Sequence, residues 1–416
     1  MPLFMALWLS SGIIEKFISR KNNMNEADTA WIIVATALVL FMTLPGLALF
    51  YGGLVRARNV LSVFMQCFGI ACLMSILWLA VGYSIAFGDA NAYWGGLSKV
   101  FLIGINENTI AGNIPEVLFF VFQMTFAIIT PALIVGAYVE RIGFGFVMTF
   151  SGLWMLVCYA PVAHWVWGGG LLAGEEWSLF EKGVNDFAGG IVVHQTAGLA
   201  ALVVAFFLGP RRDKSKPPHN PGMVMIGAAM LWVGWFGFNG GSELAANGSA
   251  AMAITVTHIS AVAASLSWAL WERIRFGKSS LVGLVTGTIA GLASITPASG
   301  SVSPVEALLI GAIAGIMCQE LCHVVKRTLN IDDTLDVFAV HGVGGMFGIV
   351  MLAVFGHAGW TEQLGGLAVV GLWTVVVTIT IVVVVKKIFP IRVSEEDEHT
   401  GLDLSSHGER AYDMSS

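Results

Sequence analysis

Asp186-Phe-Ala-Gly-Gly-Ile-Val-Val-His194 and Asp333-Thr-Leu-Asp-Val-Phe-Ala-Val-His341 carry the reading of this chain. Each starts an apolar run with an aspartate and places a histidine eight residues later, with glycine close behind. Titratable side chains inside apolar runs are costly in a bilayer and mark places where function resides. Hydropathy windows of about 19 residues give eleven candidate spans: 30–53, 60–87, 116–138, 143–167, 187–209, 221–240, 249–271, 280–298, 304–325, 334–355 and 364–388. The two octads open the fifth and tenth of them. The repeat unit is therefore five crossings, and an odd unit inverts the second half in the membrane. The fold class expected is an all-α membrane protein: eleven transmembrane helices, made of two inverted five-helix repeats plus a final helix. A weaker echo supports the repeat, since Phe50-Tyr-Gly-Gly53 ends the first span and Phe238-Asn-Gly-Gly241 ends the sixth.

Composition points the same way. The 416 residues are 56% hydrophobic and 12% charged, against about 25% charged in ordinary soluble domains. Runs of this length and apolarity span bilayers. The 49 glycines suit a packed bundle, because small residues let helices approach closely. A net charge of −6 argues against nucleic acid, whose phosphates need a basic face. The five cysteines, Cys67, Cys72, Cys158, Cys318 and Cys322, sit inside apolar runs and form neither a disulfide framework nor a zinc spacing.

Lysine and arginine sort the loops. Fifteen fall on one side, among them Arg56, Arg58, Arg141, Arg211, Arg212, Arg273, Arg275, Lys326, Lys386 and Arg392, whereas the alternate loops hold Lys99 and Lys182. Positive charge stays inside, so the C-terminus is expected in the cytoplasm and the N-terminus outside, in a cell inner (plasma) membrane. Lys16, Arg20 and Lys21 fall on the wrong side. Residues 1–24 are read as an extension, 25–388 as the transmembrane domain and 389–416 as a cytoplasmic tail.

Depth can be estimated from helix geometry. Eight helical residues rise about 12 Å, and the hydrocarbon core is about 30 Å thick. The two imidazoles thus reach the middle third from opposite faces and can meet. A packing histidine bonded to a backbone carbonyl is the plain alternative for each one singly. A metal site commonly needs three or four ligands, and no third is evident at that depth. Asp186 and Asp333 can act purely as helix caps, accepting backbone N–H bonds.

At these residues the chain resembles the Amt/Mep/Rh ammonium transporters, specifically the bacterial Amt branch. The likeness runs from about Asp28 to Tyr412. It is carried by Phe122-Gln-Met-Thr-Phe126, Ala163-His-Trp-Val-Trp-Gly-Gly-Gly170, both octads, Gly234-Trp-Phe-Gly-Phe-Asn-Gly-Gly-Ser242 and Gly401-Leu-Asp-Leu-Ser-Ser-His-Gly-Glu-Arg-Ala-Tyr412. The resemblance implies an outer recruitment site at Trp167, Phe126 and Ser242, with Asp186 as a structural aspartate beside it. It implies a gate of Phe126 and Phe238, and pore histidines His194 and His341 flanked by Trp235. Asp333 is the repeat partner of Asp186. It further implies homotrimers, ammonium and ammonia as substrate, no cofactor or metal, and a PII-type signal protein as a partner at the cytoplasmic mouth.

Each assignment has a physical basis and an ordinary alternative. Aromatic faces attract a cation by about 0.5–2 kcal/mol per ring, and a serine hydroxyl accepts a bond from an N–H donor. Trp167 at a span end is also what an interfacial anchor looks like. Phe122 and Phe126 lie four apart on one helix face, as in ordinary core packing. A whole cation in a narrow apolar path is costly by several kcal/mol; neutral ammonia is tolerated, and potassium has no proton to lose. Two neutral imidazoles in contact share one N–H···N proton and titrate as a unit.

The tail from Arg392 is polar and acidic, with Glu395-Glu-Asp-Glu398, and composition alone reads it as solvated. The loop between Gly170 and Asp186 carries Glu175, Glu176 and Glu181, which read as a solvated lid or a cation-attracting rim. The leading expectation is a transporter, not an enzyme: the spans hold no nucleophile constellation or cofactor motif. The alternative is an ammonium sensor on the same scaffold, although such proteins usually append a signalling domain. Residues 1–23 make a poor signal peptide, lacking a basic start and a small-residue cleavage site. The mature chain is expected to begin near Met24, and intact-mass analysis of membrane-purified protein should find residues 1–23 missing; their retention rejects it.

Overall fold

The computed structural model describes residues 24–213 and 217–412. Among the described residues, ten helices are long and apolar enough to cross a membrane. They are α1 (Glu26–Leu54), α2 (Ala57–Phe87), α3 (Glu116–Tyr138), α4 (Phe144–Trp167), α5 (Gly190–Leu208), α6 (Pro221–Gly241), α7 (Gly248–Phe276), α8 (Leu281–Ala298), α9 (Pro304–Thr328) and α11 (Trp360–Val385). The shorter apolar α10 (Phe338–Val354) completes the set. Two short helices follow in the tail, α12 (Glu395–Thr400) and α13 (Leu402–His407). The extension expected over residues 1–24 lies, up to residue 23, outside the described residues.

Local chemistry sets the helix ends. Asn25, Asn220, Asn247 and Ser280 each accept backbone N–H bonds in the first turns of α1, α6, α7 and α8. Ser303 and Glu306 form a reciprocal capping box at α9. Proline stands at or just inside the start of α6 and α9, where its missing N–H does no harm.

One expectation needs correction. The octads are not helical throughout. Before α5, Gly189 adopts φ 114°, and before α10, Asp336 adopts φ 61°. These left-handed residues interrupt the helix, so α5 begins at Gly190 and α10 at Phe338. The expected starts at 187 and 334 were therefore too early, and the 12 Å rise overstated the helical part. Both helices instead open on a wide turn with i→i+5 hydrogen bonds, Gly190–Gln195 and Phe338–Val343. Such turns are frequent at functional places. That matching irregularity is a local signature of the repeat.

Glycine lets counterpart helices of the two repeats cross at their backbones. A methyl group added to Gly227 would strike the Phe50 backbone, which fixes where α6 meets α1. One added to Gly198 would strike Gly342, where α5 meets α10. Outside this pair, α11 seals the bundle: Trp154 donates to the Thr378 hydroxyl at 3.1 Å and the Gln195 amide to the Leu367 carbonyl at 2.7 Å.

The α5–α10 crossing yields a test. Gly198→Ala should destabilise the protein by about 1–3 kcal/mol, as overpacking does. Gly248→Ala should be neutral, because nothing lies within 4 Å of the added methyl. Melting curves in detergent read both, and equal midpoints contradict the crossing.

Candidate functional site

From one end of the bundle inward, the side chains form a continuous stack. A cavity of about 330 Å³ opens beside Gln123, Phe126, Trp167, Phe187 and Ser242. Trp167 is held by a 2.8 Å bond from its indole N–H to the Asp186 carbonyl. Ser242 donates to the Phe238 carbonyl at 2.8 Å. With its proton spent there, the Ser242 oxygen offers the cavity lone pairs, which suits an N–H donor.

The cavity floor is aromatic. Phe126 lies edge-on to Trp167, with centroids 6.1 Å apart, and stacks on Phe238 at 4.3 Å. Both phenylalanines are almost wholly buried, at 1% exposure each, and their stacked rings separate this cavity from the space around the histidines. His194 lies next, 6.0 Å from the Phe238 ring and 5.5 Å from Trp235. Trp235 is pinned by a 2.8 Å bond to the Thr296 hydroxyl.

His194 and His341 touch. Their Nδ1 atoms are 3.3 Å apart and their rings nearly parallel, at 22°. Such a contact requires one Nδ1 to donate and the other to accept. The donor ring then carries a bare Nε2 and the acceptor ring an Nε2–H, so the pair offers one acceptor and one donor. Nε2 of His194 has no protein partner. The space beside the rings is about 10 Å³ and is walled by Ile129, Leu133, Leu231 and other apolar residues. That is room for about one water-sized molecule.

The two aspartates differ. Asp186 accepts four backbone N–H bonds, from Gly189, Gly190, Ile191 and Val192, at 2.6–3.0 Å. Its carboxylate is thereby saturated by the start of α5, behind Trp167 rather than in the cavity wall. Asp333 accepts one bond from Phe338 N–H at 2.7 Å, and its Oδ1 is unpartnered. The composition of the octads explains this. Gly189 and Gly190 expose amides that wrap around a carboxylate, whereas the second octad has no glycine between its aspartate and its histidine.

Sequence reasoning left three residues of the stack without a role: Gln123, Phe187 and Thr296. Gln123 and Phe187 were within reach, since each adjoins a residue singled out by its motif. Thr296 lies in the tight last turn of α8, within an otherwise apolar span end, and gave no local signal.

At the opposite end, buried ion pairs tie loops of both halves together. Glu140 pairs with Arg56 at 2.9 Å and Arg211 at 3.1 Å, and Arg211 also pairs with Asp332 at 3.0 Å. Arg141, 0% exposed, donates to the Asp332 carbonyl at 2.7 Å and the Thr334 hydroxyl at 2.7 Å. The tail joins this network. Arg392 pairs with Glu398 at 2.7 Å, and the Asp403 carboxylate accepts from Ser62 N–H at 2.7 Å. Leu402 is 1% exposed. The tail is therefore anchored under α2 at Glu398, Leu402 and Asp403, where the solvated reading does not hold, while Glu395, Glu396 and most of residues 404–412 stay exposed as that reading expects.

Taken together, the fold and stack define a class: a multi-pass membrane protein with an aromatic-floored cavity above a small, apolar-walled space that holds a buried histidine pair. Residues 30–412 match the Ammonium Transporter Family model. The chain is 43% identical to an ammonium transporter of Aquifex aeolicus, over 94% of each chain. It is 42% identical to a putative ammonium transporter of Methanothermobacter thermautotrophicus, over 94% of this chain and 99% of the relative. Among solved structures, Saccharomyces cerevisiae Mep2 superposes with a TM-score of 0.80 at 34% identity, covering 91% of this chain and 89% of that one. A sensor Amt protein gives 0.82 at 29%, covering 92% and 98%. The chain belongs to the Ammonium Transporter Family.

The ion-pair network carries a pH dependence. Burial raises the Asp332 pKa, but bonds and charge from Arg211, with Arg141 behind it, win and hold the carboxyl down at about 2 against an ordinary 3.8. A depressed folded value adds stability above pH 3.8 that is lost as pH falls through 2. Asp332→Asn should remove about 2–3 kcal/mol at neutral pH and flatten that acid limb. Melting midpoints across the acid range give the answer, and an unaltered limb excludes Asp332 as its source.

Proposed function

We propose that this chain moves ammonium across the membrane as ammonia plus a separated proton. The observation that carries the reading is the His194–His341 contact inside a lumen of about 10 Å³. Ammonium is recruited between Trp167, Phe126 and the acceptor face of Ser242, at the cavity whose backing Asp186 holds in place. Phe126 and Phe238 swing aside to admit it. A hydrated cation is too large for the space below, and a bare one loses its solvation to apolar walls at a cost of several kcal/mol. Neutral ammonia fits and finds one donor and one acceptor on the paired imidazoles. Potassium has the size of ammonium but no proton to release, so it stops above the rings.

The released proton crosses separately through the shared N–H···N bond and transient water, which makes transport electrogenic. The chain sits in the inner (plasma) membrane with the N-terminus outside and the arginine-rich loops in the cytoplasm. It assembles as a homotrimer with one path per subunit. The packed tail offers a PII-type signal protein a fixed surface at the cytoplasmic mouth. The domain limits are 25–388 for the transporter and 389–416 for the tail. Likeness to a sensor Amt protein favours one second reading, in which occupancy matters more than flux; methylammonium uptake by whole cells separates the two.

Liposomes on a solid-supported membrane test the mechanism. An ammonium jump should evoke a current and a potassium jump none. Trp167→Leu should raise the half-saturating ammonium concentration about 2- to 30-fold, the equivalent of one cation–π contact. His194→Ala should abolish either the current or its selectivity. An active preparation without ammonium-evoked current refutes the electrogenic step, and a His194→Ala protein with intact flux and selectivity removes the pair from the mechanism.

A further inference from the structure

We propose that the cavity between the start of α2 and the tail binds a phosphate group that carries a hydroxyl on it or beside it. The site lies at the ion-paired end of the bundle and shares no residue with the aromatic and histidine stack, so it is independent of the transport reading. The cavity holds about 260 Å³. Arg58 forms one wall, Thr400 and Asp403 a second, and Arg410 and Tyr412 a third.

Two guanidinium groups border this space unpaired. At the same end of the molecule Arg56, Arg211, Arg212 and Arg392 each pair with a carboxylate. Among the described residues, Arg58 and Arg410 make neither an ion pair nor a hydrogen bond. The Nε of Arg58 is buried as well as unpartnered, and a buried donor without an acceptor is destabilising. Its stem is held in place, because Gly401, at φ 99°, packs so closely that an added methyl would lie 2.6 Å from Cβ and Cγ of Arg58. A planar guanidinium presents its donors in a fork that matches phosphate oxygens.

The remaining polar group narrows the class of anion. Asp403 is 2% exposed. Its Oδ1 accepts from Ser62 N–H, and its Oδ2 is buried without a partner. An ionised carboxylate only accepts. It therefore repels an anion that has no proton, such as sulfate, and accepts from one that carries an O–H. Hydrogen phosphate, or a phosphate next to a glycerol hydroxyl, supplies oxygens for the two arginines and a donor for Asp403. The third wall is tied to the bundle. His219 donates from Nδ1 to the Val55 carbonyl at 2.8 Å, which leaves Nε2 to accept from the Tyr412 hydroxyl at 3.0 Å. That bond keeps Arg410, two residues earlier, at the rim. A bound phosphate would then join α2 to the far end of the tail.

Free phosphate and an anionic phospholipid headgroup share this chemistry, and two arms of one experiment separate them. Calorimetric titration of the full chain in lipid-free detergent with sodium phosphate should show saturable binding that sodium sulfate does not displace. Arg58→Gln should weaken it about 10- to 150-fold, as loss of a charge-assisted bond does, and the exposed Arg410→Gln about 2- to 5-fold. Native mass spectrometry with phosphatidylglycerol against phosphatidylcholine covers the other source. Preferential retention of phosphatidylglycerol that falls in both variants, without calorimetric binding of phosphate, assigns a headgroup. Binding of neither probe, or binding that Arg58→Gln leaves unchanged, overturns the proposal. Sulfate bound as tightly as phosphate overturns the part given to Asp403.

Discussion

Two imidazoles can meet in the middle of a membrane protein only if the helices that carry them touch at the backbone. Here that contact is made by Gly198 on α5 against Gly342 on α10, each one turn or less from its histidine. A methyl at Gly198 would strike the Gly342 backbone, and one at Gly342 would press on Phe338 and Gly198, so the close approach that lets the Nδ1 atoms lie 3.3 Å apart depends on this crossing. The rest of the bundle serves the same constraint. Gly227 admits α1 at the equivalent crossing of the outer pair, Thr296 steadies Trp235 against the rings, and α11 closes the side that α5 would otherwise show to lipid.

The repeats are related in plan but unequal in chemistry. Asp186 is saturated by four amides and fixes both the start of α5 and, through its carbonyl, the orientation of Trp167. Asp333 is left half-satisfied next to the ion pairs that hold the opposite end. An amide-saturated aspartate at one end and a half-satisfied one at the other follow from glycine content: two glycines in the first octad and none inside the second. The tail adds stiffness to the charged end, since Asp403 caps the amide of Ser62 at the start of α2 and Leu402 N–H bonds the Asn59 side chain at 2.8 Å.

Much of this was legible in the sequence because it is periodic or paired. Long apolar runs fixed the spans, and the octads fixed the fivefold unit and the meeting of His194 with His341. What escaped depends on backbone torsion and long-range contact. Aspartate can visit the left-handed region, but most aspartates do not, so nothing marked Asp336 for φ 61° and the start of α10 was placed too early. The tail looked solvated because composition counts Glu398 and Asp403 as free charges. It cannot know that Arg392 and the Ser62 amide await them. Thr296 and Trp235 are 61 residues apart, and their bond leaves no trace in either neighbourhood.

The central claim is a single proton shared between two buried rings, and nitrogen NMR of histidine-labelled protein in lipid bilayers observes it directly. The expected spectrum assigns one Nδ1 of the pair as protonated and the other as bare, with a coupling across the hydrogen bond between them. Two Nδ1 atoms in the same protonation state, with no coupling, would contradict the account.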